Sequence, residues 1–401
     1  MVHSSATTKS DRRCGPLNIA DFYPWVYLTS GIERTILEIC RRSRHRHTIF
    51  TNHFESGSTY PEFRELEVIK LSHVPVDRGL SSVLRAAAVI GLQKVDFSSY
   101  DILLVHCDGL GDLILARRPP IPAVCFCHTP LRPVFDSQYR DRALERYAGG
   151  SRLLFRVFSA AFRHLDQTMW SRYRYVFLNS QETRMRANRG GLLRGLEGRY
   201  EILHPGVDWG SCQLTGRYDS YFLVPGRIMW TKGIETAIKA FVHFRGMSPA
   251  HGPFRLIVAG RVDKKSEPYL ARLREQARGR DDIEFVVSPT DQMLHRLYAD
   301  CYAALFPAFN EDWGMAPLEA NAFGKAVIAS NRGGPAESQV DGETGFLVPA
   351  EPEAFARAMA VLAADEHLAR TMGRAGRERV RRYDWSHFVT RIDDVLEGVA
   401  K

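Results

Sequence analysis

The sequence predicts an α/β protein with two parallel sheets flanked by helices. Three observations support this fold class. Short apolar runs alternate with helical patterns along the chain, as expected when helices connect parallel strands. The alternation starts again near residue 221, after the His204-Pro205-Gly206 turn. A length of 401 residues suits two domains of ordinary size.

The first half of the chain contains seven short apolar runs that we predict to be strands. Turn-forming and polar residues separate these runs from stretches with helical spacing. The predicted strands are Leu17–Phe22, His47–Asn52, Leu66–Leu71, Asp101–His106, Ala123–Cys127, Tyr175–Asn179 and Glu201–Leu203. The predicted helices are Gly31–Arg42, Leu80–Gln93, Arg140–Gly149 and Ser151–Trp170, with another starting at Ser180-Gln181-Glu182.

The second half repeats this organisation and ends in three helices. Its predicted strands are Tyr221–Pro225, Arg255–Ala259, Ile283–Val287 and Ala303–Pro307. Its predicted helices are Gly233–Phe244, Asp291–Ala299, Pro317–Phe323, Pro352–Ala364, Thr371–Arg382 and Trp385–Val399. We therefore divide the chain into a disordered leader (1–16), a first domain (17–205), a second domain (206–382) and a C-terminal helix (383–401).

Composition points to a reducing compartment. No apolar run approaches the roughly 18 residues that a membrane-spanning helix needs, and the polar first 15 residues lack the apolar core of a secretory signal. The seven cysteines are scattered and form no C-x-x-C pair, which argues against a zinc or thioredoxin-like site. We expect a cytoplasmic protein.

One segment accounts for the positive charge of the chain. Residues 132–199 contain 14 arginines, no lysine and 6 acidic residues, an excess of eight that equals the net charge of +8 for the whole sequence. Leu153, Phe158 and Leu165 lie within the same segment. A basic amphipathic surface fits an anionic membrane face, although a solvated face over a core helix explains the pattern equally well. No recognition signature supports nucleic-acid binding.

The stretch 307–345 contains the most informative residues. Glu311 and Glu319 are eight positions apart, on either side of Gly314, and Pro317 suits the first position of a helix that Gly324 would end. Free amides at such a helix start attract phosphates, and nearby carboxylates can hold sugar hydroxyls. Alternatively, Glu319 only complements the helix dipole and Glu311 is a solvated loop residue.

The wider pattern resembles the donor-site signature of retaining family 4 glycosyltransferases, which have the GT-B fold. That signature combines two glutamates separated by seven residues, a Gly-Gly turn, a glutamate three residues on, and an Asp-Gly-x-x-Gly turn. The matching residues here are Glu311, Glu319, Gly333, Gly334, Glu337, Asp341, Gly342 and Gly345. The resemblance implies two Rossmann-like domains facing across a cleft, with the last helix crossing back to the first domain.

Residues outside this stretch extend the resemblance. Arg227 and Lys232 follow a predicted strand in the arrangement of the family's diphosphate clamp, and two cations there would stabilise the charge of a leaving diphosphate. His128 resembles the histidine that faces the donor sugar, and its H-T-P context is closest to a mannosyltransferase subgroup. Gly31 matches a glycine that lets backbone amides approach the donor phosphates; the family often has Gly-Gly where this chain has Ser30-Gly31.

The resemblance implies a catalytic set and a donor-binding set, and no metal site. The catalytic set is His128, Arg227, Lys232 and Glu311. The donor-binding set is Gly31, Gly260, Pro289, Asp312, Trp313, Gly314, Met315 and Glu319. No cofactor is expected beyond the donor substrate, which would be GDP-mannose or else a UDP-sugar.

The function expected from this resemblance is transfer of a hexose to a hydroxyl of a glycan, glycolipid or small molecule. Alternative functions are those of another GT-B enzyme, such as a sugar-nucleotide epimerase or a sucrose-synthase-like protein, or of a membrane-surface scaffold with a degenerate site. A dehydrogenase is disfavoured because Gly109-Leu110-Gly111 is not followed by the third glycine of the fingerprint.

Overall fold

The structure, a computed structural model, describes residues 15–77, 79–145, 149–247, 252–308 and 310–401. The proposed leader, 1–16, lies outside these ranges except for its last two residues. In chain order the strands are β1 (Asn18–Phe22), β2 (Trp25–Val26), β3 (Arg46–Thr51), β4 (His53–Phe54), β5 (Val68–Lys70), β6 (Ile102–Cys107), β7 (Ala123–Cys127), β8 (Tyr175–Leu178), β9 (Tyr200–Ile202), β10 (Tyr221–Pro225), β11 (Arg255–Gly260), β12 (Ile283–Val287), β13 (Ala303–Phe306), β14 (Ala326–Ser330) and β15 (Gly345–Val348).

Helices connect most of these strands. They are α1 (Gly31–Arg42), α2 (Leu80–Leu92), α3 (Arg132–Phe135), α4 (Ser137–Glu145), α5 (Gly149–Trp170), α6 (Gln181–Arg189), α7 (Ile234–Met247), α8 (Glu267–Gln276), α9 (Asp291–Asp300), α10 (Met315–Ala322), α11 (Pro335–Ser338), α12 (Pro352–Ala364), α13 (Glu366–Val380) and α14 (Trp385–Ala400).

The two main sheets are parallel, as predicted. The first has the order β5-β3-β1-β6-β7-β8-β9 and the second has the order β12-β11-β10-β13-β14-β15. Their central strands are buried along nearly their whole length, since helices cover both faces. In each sheet the loops that follow the central strands lie at the same edge, because the strands are parallel. Parallel α/β sheets bind ligands at this edge.

The sheet order explains which loops meet. Strands β10 and β13 are hydrogen-bonded neighbours in the sheet. In sequence, 77 residues (226–302), which include β11 and β12, separate the end of β10 from the start of β13. The loops that follow β10 and β13 carry Lys232 and Glu311, so pairing of these strands brings the two side chains to the same edge.

The last helix, α14, packs against the first sheet. Its Phe388 and Ile392 are buried in one cluster with Leu104 and Phe126, on the sheet face opposite to α2 and α5. The Asp393 carboxylate accepts hydrogen bonds from Ser43 Oγ (2.6 Å) and the Arg44 amide (3.0 Å). The C-terminal helix therefore ties the end of the chain to the first half.

Several element boundaries differ from the predictions. The predicted helix Arg140–Gly149 is wrong in its bounds, because α4 starts at Ser137 and α5 starts at Gly149. Helix α13 begins before the predicted Thr371, because Asp365 caps it by accepting from the Leu368 amide. Helices α3 and α8, which pack beside longer elements, were not predicted.

Candidate active site

The loop after β13 carries Glu311 and leads into α10. Gly314 has a φ of 79°, which favours glycine, and a Cβ there would lie 3.1 Å from Glu311 Cγ. The helix begins at Met315, two residues before the predicted start, so Pro317 is its third residue. Pro317 still sacrifices no hydrogen bond, because the first amides of a helix lack an acceptor within it. The prediction that Glu319 lies in the first turn is wrong.

Lys232 and Glu311 form an ion pair at the edge of the second sheet. The Lys232 ammonium lies 2.9 Å from Glu311 Oε1, and the two side chains are 16% and 19% exposed. The adjoining residue, Gly233, has a φ of 62°, and a Cβ on it would lie only 2.6 Å from the Pro307 carbonyl oxygen. Glycine at this position therefore allows the Lys232 loop to lie directly against the end of β13.

Arg227 lies in the loop after β10, above the end of β11. It is half-buried, and no hydrogen bond or ion pair engages its guanidinium among the residues that the structure describes. A Cβ on Gly260 would overlap the carbonyl oxygen of Gly226, so Gly260 permits close packing behind the Arg227 loop. The Arg227 guanidinium is therefore available to a ligand. The close packing of Gly260 against the Gly226 carbonyl has a structural role.

Pro289 and Glu319 occupy two other loop and helix positions of the second half. Pro289 is half-buried and follows Ser288, whose amide donates to the Gly260 carbonyl at 2.9 Å. Glu319 Oε2 accepts a hydrogen bond from the Tyr298 hydroxyl at 2.6 Å. Among the described residues, only this oxygen of Glu319 accepts a hydrogen bond, so the other oxygen is available to a ligand hydroxyl.

Gly31 and Met315 bring the two halves of the chain together. A Cβ on Gly31 would lie 3.2 Å from the Met315 sulfur, so the first residues of α1 and α10 face one another. The Ser30 side chain caps α1 by accepting from the Ile32 amide at 3.3 Å. Each helix start carries partial positive charge from its free amides. Together they form a setting suited to an anion.

Glu33 is a buried acid close to this setting. Its carboxylate accepts hydrogen bonds from the Leu28 amide (3.1 Å) and the Ser30 hydroxyl. Burial raises the pKa of Glu33 to about 7, although the hydrogen bond from Ser30 and the positive charge of Arg227 oppose this effect. Glu33 therefore changes charge near neutral pH.

Asp312 is held by two arginines of the first half. Arg132 Nε donates to Asp312 Oδ2 at 3.1 Å, and Arg186 bonds the other carboxylate oxygen. Arg186 also lies 3.3 Å from Asp136, whose carboxylate accepts from the Asn310 amide. Burial raises the pKa of Asp312, but the two guanidinium charges outweigh it and the pKa falls below its usual value. These contacts occupy the carboxylate that the sequence assigned to the donor.

The side chain of Trp313 also points away from the ligand-facing loops. It is 3% exposed, donates its Nε1 hydrogen to the Pro205 carbonyl at 3.2 Å, and stacks on His204 with a centroid distance of 4.2 Å. Tyr383 packs against its other edge. Trp313 therefore packs between the segment that links the two halves and the C-terminal segment. This buried position does not support the prediction that its side chain binds the donor.

His128 follows β7 and is only 5% exposed. Its ring stacks on that of His106 at 5.7 Å, and its Nε2 is buried with no hydrogen-bond partner in the described part of the chain. Burial lowers the pKa of His128 well below its usual value, and His106 lowers it further. The imidazole is therefore neutral at physiological pH.

Sequence reasoning missed the buried polar groups behind His128. The Asp21 carboxylate lies 2.6 Å from His47 Nδ1 and 3.2 Å from His106 Nε2. Burial raises the pKa of Asp21, but the histidines lower it more, so the carboxylate stays ionised. Charged and polar residues inside otherwise apolar strands were the available signal. These groups fix the His106 ring on which His128 rests.

One set of residues within the described ranges has ligand atoms close enough for a metal ion. It consists of Asp21, Cys40 and His47, on β1, α1 and β3. The Asp21–His47 separation of 2.6 Å is that of a direct hydrogen bond. The set belongs to two strands of the first sheet and to α1, and it does not include Arg227, Lys232 or Glu311.

The raised pKa of Glu33 predicts a specific pH dependence of stability. The folded state binds the Glu33 proton more tightly than the unfolded chain, so Glu33 destabilises the fold as pH rises from 4.5 to about 7. Relative to Glu33→Gln, we expect the wild type to lose about 3 kcal/mol of unfolding free energy across that window. Urea denaturation at both ends of the window measures the difference.

Glu65→Gln is the matched control, because Glu65 is an exposed acid of the same half. Its unfolding free energy should follow that of the wild type at every pH. If wild type and Glu33→Gln show the same pH dependence between 4.5 and 7, the assignment of Glu33 is wrong.

Family models match both halves of the chain. Residues 29–209 match the model described as Glycosyltransferase Family 4, and residues 216–379 match the model described as Glycosyl transferases group 1. The chain is 28% identical over 390 residues to the human alpha-1,3/1,6-mannosyltransferase ALG2, with 88% of each chain covered. It is 34% identical over 160 residues to the lipopolysaccharide core biosynthesis mannosyltransferase LpcC of Rhizobium leguminosarum bv. viciae, covering 39% and 44% of the two chains.

Solved structures show the same fold. HepE (Alr3699) of Anabaena, crystallised with UDP and glucose, superposes with a TM-score of 0.72 at 16% identity, covering 95% of this chain and all of that one. The two facing parallel sheets are thus those of the GT-B fold. The chain belongs to the family 4, group 1 glycosyltransferases, and relatives that match more than four fifths of it include mannosyltransferases.

Proposed function

We propose that this protein is a retaining hexosyltransferase that moves mannose from a nucleoside-diphosphate sugar to a hydroxyl of a glycan, glycolipid or small molecule. The observation that carries this proposal is the convergence of Arg227, the Lys232–Glu311 ion pair and the starts of α1 and α10. Cations beside a carboxylate suit a ligand that has both phosphates and hydroxyls. GDP-mannose is the preferred donor because the human and mouse relatives that match 88% and 83% of the chain are mannosyltransferases.

The positive groups would act on the leaving diphosphate. Breaking the bond between the sugar and the phosphate increases the negative charge on the diphosphate, which Arg227 and Lys232 would stabilise most strongly in the transition state. These fixed cations would serve without a divalent metal ion. Lys232 would then exchange its contact with Glu311 for a phosphate oxygen, leaving the Glu311 carboxylate to accept hydrogen bonds from the sugar.

Retention requires the new bond to form on the face that the diphosphate leaves. The acceptor oxygen would bond to the anomeric carbon as the bond to the phosphate oxygen breaks, and the acceptor proton would pass to that phosphate oxygen. His128 would remain neutral, since burial lowers its pKa. The His128 imidazole would hydrogen-bond the sugar or the acceptor and would not serve as a base.

The alternatives make different products. An epimerase would change the nucleotide sugar without an acceptor, a sucrose-synthase-like enzyme would transfer the hexose of the nucleotide sugar to a free sugar and release the nucleoside diphosphate, and a degenerate scaffold would release no nucleotide. The Lys232–Glu311 pair and the unengaged Arg227 favour an intact donor site over the degenerate one. Product analysis by NMR separates these functions and reports the configuration of the new bond.

Glu311→Gln is expected to lower the rate of mannose transfer from GDP-mannose about a hundredfold or more, because the amide removes the negative charge facing the sugar. Transfer of radiolabelled mannose to mannose-terminated glycans measures the rate. Glu343→Gln, an exposed acid of the same half, is the control and should keep the wild-type rate. Equal rates in Glu311→Gln and the wild type would rule out the role of Glu311.

We further propose that the enzyme works in the cytoplasm, at an anionic membrane surface. Helix α5 buries Phe155 and Phe162 but exposes an opposite face that includes Leu153 (65%) and Val157 (58%). Arg156 lies on the flank of that face and is exposed. Apolar side chains beside arginines complement an anionic lipid surface. Among the described helices, none has both the length and the apolarity needed to cross a bilayer.

Replacing the apolar residues of this face should release the protein from lipid. We expect Leu153→Gln/Val157→Gln to reduce co-sedimentation with phosphatidylcholine–phosphatidylglycerol vesicles about fivefold or more, since burial of apolar area drives interfacial binding. Val361→Gln, at an exposed apolar position on α12, is the control. If the wild type shows no preference for anionic over neutral vesicles, the membrane proposal fails.

A further inference from the structure

A cavity lies between the two halves, beside the candidate donor site. Its volume is about 700 Å³, and it is lined by the region of α3, α4 and α6 on one side and by residues 331–337 on the other. Cavities between domains are common ligand sites. The proposed donor clamp residues Arg227 and Lys232 are not among its lining residues, so this space is separate from the proposed diphosphate position.

Four arginines of the cavity lining have no carboxylate partner among the described residues. Three of the four are exposed to solvent, and the fourth, Arg140, is half-buried. Their guanidinium groups make one hydrogen bond within the described part of the chain, from Arg163 to the Val134 carbonyl oxygen at 3.2 Å. The four are Arg140, Arg163, Arg189 and Arg332.

The acidic residues of the lining make contacts with groups other than the four arginines. Asp136 and Glu182 both pair with Arg186, at 3.3 Å and 3.2 Å. Glu337 accepts hydrogen bonds from the Gln181 and Glu182 amides (2.8 Å and 3.1 Å) and lies 3.0 Å from His204 Nε2. The lining contains five arginines, including Arg186, and these three acids, so it has an excess of two positive charges.

The cavity adjoins the loop that carries Glu311. Gly333 lines it, and a Cβ on Gly333 would overlap the Glu311 carbonyl oxygen. The Gly334 amide donates to the same oxygen at 2.9 Å. Asn310, which precedes this loop, also lines the cavity. A molecule anchored here would thus lie against the backbone of the residue that we assign to the donor sugar.

We propose that this cavity binds a phosphate or diphosphate group of the acceptor. Guanidinium groups match phosphate oxygens in geometry and charge, and several of them favour an anion with more than one negative charge. This inference rests on the proposed function, because it gives the glycosyl acceptor a chemical class. The phosphate could belong to a soluble sugar phosphate or to a lipid headgroup.

Binding of inorganic pyrophosphate tests the cavity independently of the donor site. The background is Arg227→Gln/Lys232→Gln in the full chain, which removes the proposed donor clamp. We expect calorimetry to show that this protein still binds pyrophosphate. Adding Arg189→Gln/Arg332→Gln should weaken that binding at least about tenfold, because two unpaired cations are lost. Both residues are exposed and without acidic partners, so the fold should be retained.

The control adds Arg274→Gln/Arg357→Gln to the same background. Both arginines are exposed and lie outside the cavity, and their substitution removes the same amount of charge. Their loss should change pyrophosphate affinity less than about twofold, as expected for screened charges at a distance. Equal weakening in both variants, or no binding to the background, overturns the proposal. Nucleotide binding to otherwise wild-type protein tests the proposed function separately.

Competition against pyrophosphate distinguishes the two sources of phosphate. One competitor is glycerol 3-phosphate, and the other is phosphatidylcholine vesicles that contain phosphatidic acid. Stronger competition by the vesicles supports a lipid-linked acceptor, and stronger competition by glycerol 3-phosphate supports a soluble one. If neither competes, although both present phosphate monoesters, the proposal that the cavity recognises the phosphate of an acceptor is overturned.

Discussion

The ion-pair cluster around Asp312 is the interaction on which the arrangement of the candidate site depends. Two arginines of the first half converge on one carboxylate of the second, and Asp312 directly follows Glu311 in the chain. Because the cluster is largely buried, loss of one partner would leave an uncompensated charge, which typically costs about 3–5 kcal/mol. The cluster therefore holds the Glu311 loop at a defined position between the halves.

The positive character of the donor region comes from backbone and side chains together. The starts of α1 and α10 face each other through Gly31 and Met315, while Arg227 and Lys232 lie at the edge of the second sheet. The acid at the centre, Glu311, already pairs with one of these cations. An anionic group that binds Lys232 would release the Glu311 carboxylate, which could then accept hydrogen bonds from neutral hydroxyls. A sugar diphosphate offers both the anionic group and the hydroxyls.

Local patterns predicted the fold class and many of its elements. Apolar runs between turn residues identified β7, β10 and β12 at their observed bounds, and the predicted helix Gly31–Arg42 matches α1. The start of α10 was missed because the positive φ of Gly314 lets the helix begin before Pro317. The partners of Asp312 could not be predicted, since 126 and 180 residues separate them from it in sequence.

Calorimetric titration of GDP, UDP and ADP without divalent metal tests the central claim most directly. The claim is that Lys232 belongs to a site for a nucleoside diphosphate. The account predicts that the wild type binds one of the three nucleotides and that Lys232→Ala binds it at least about tenfold more weakly, because a charged phosphate contact is lost. Absence of binding to the wild type, or equal affinity in Lys232→Ala, would contradict the account.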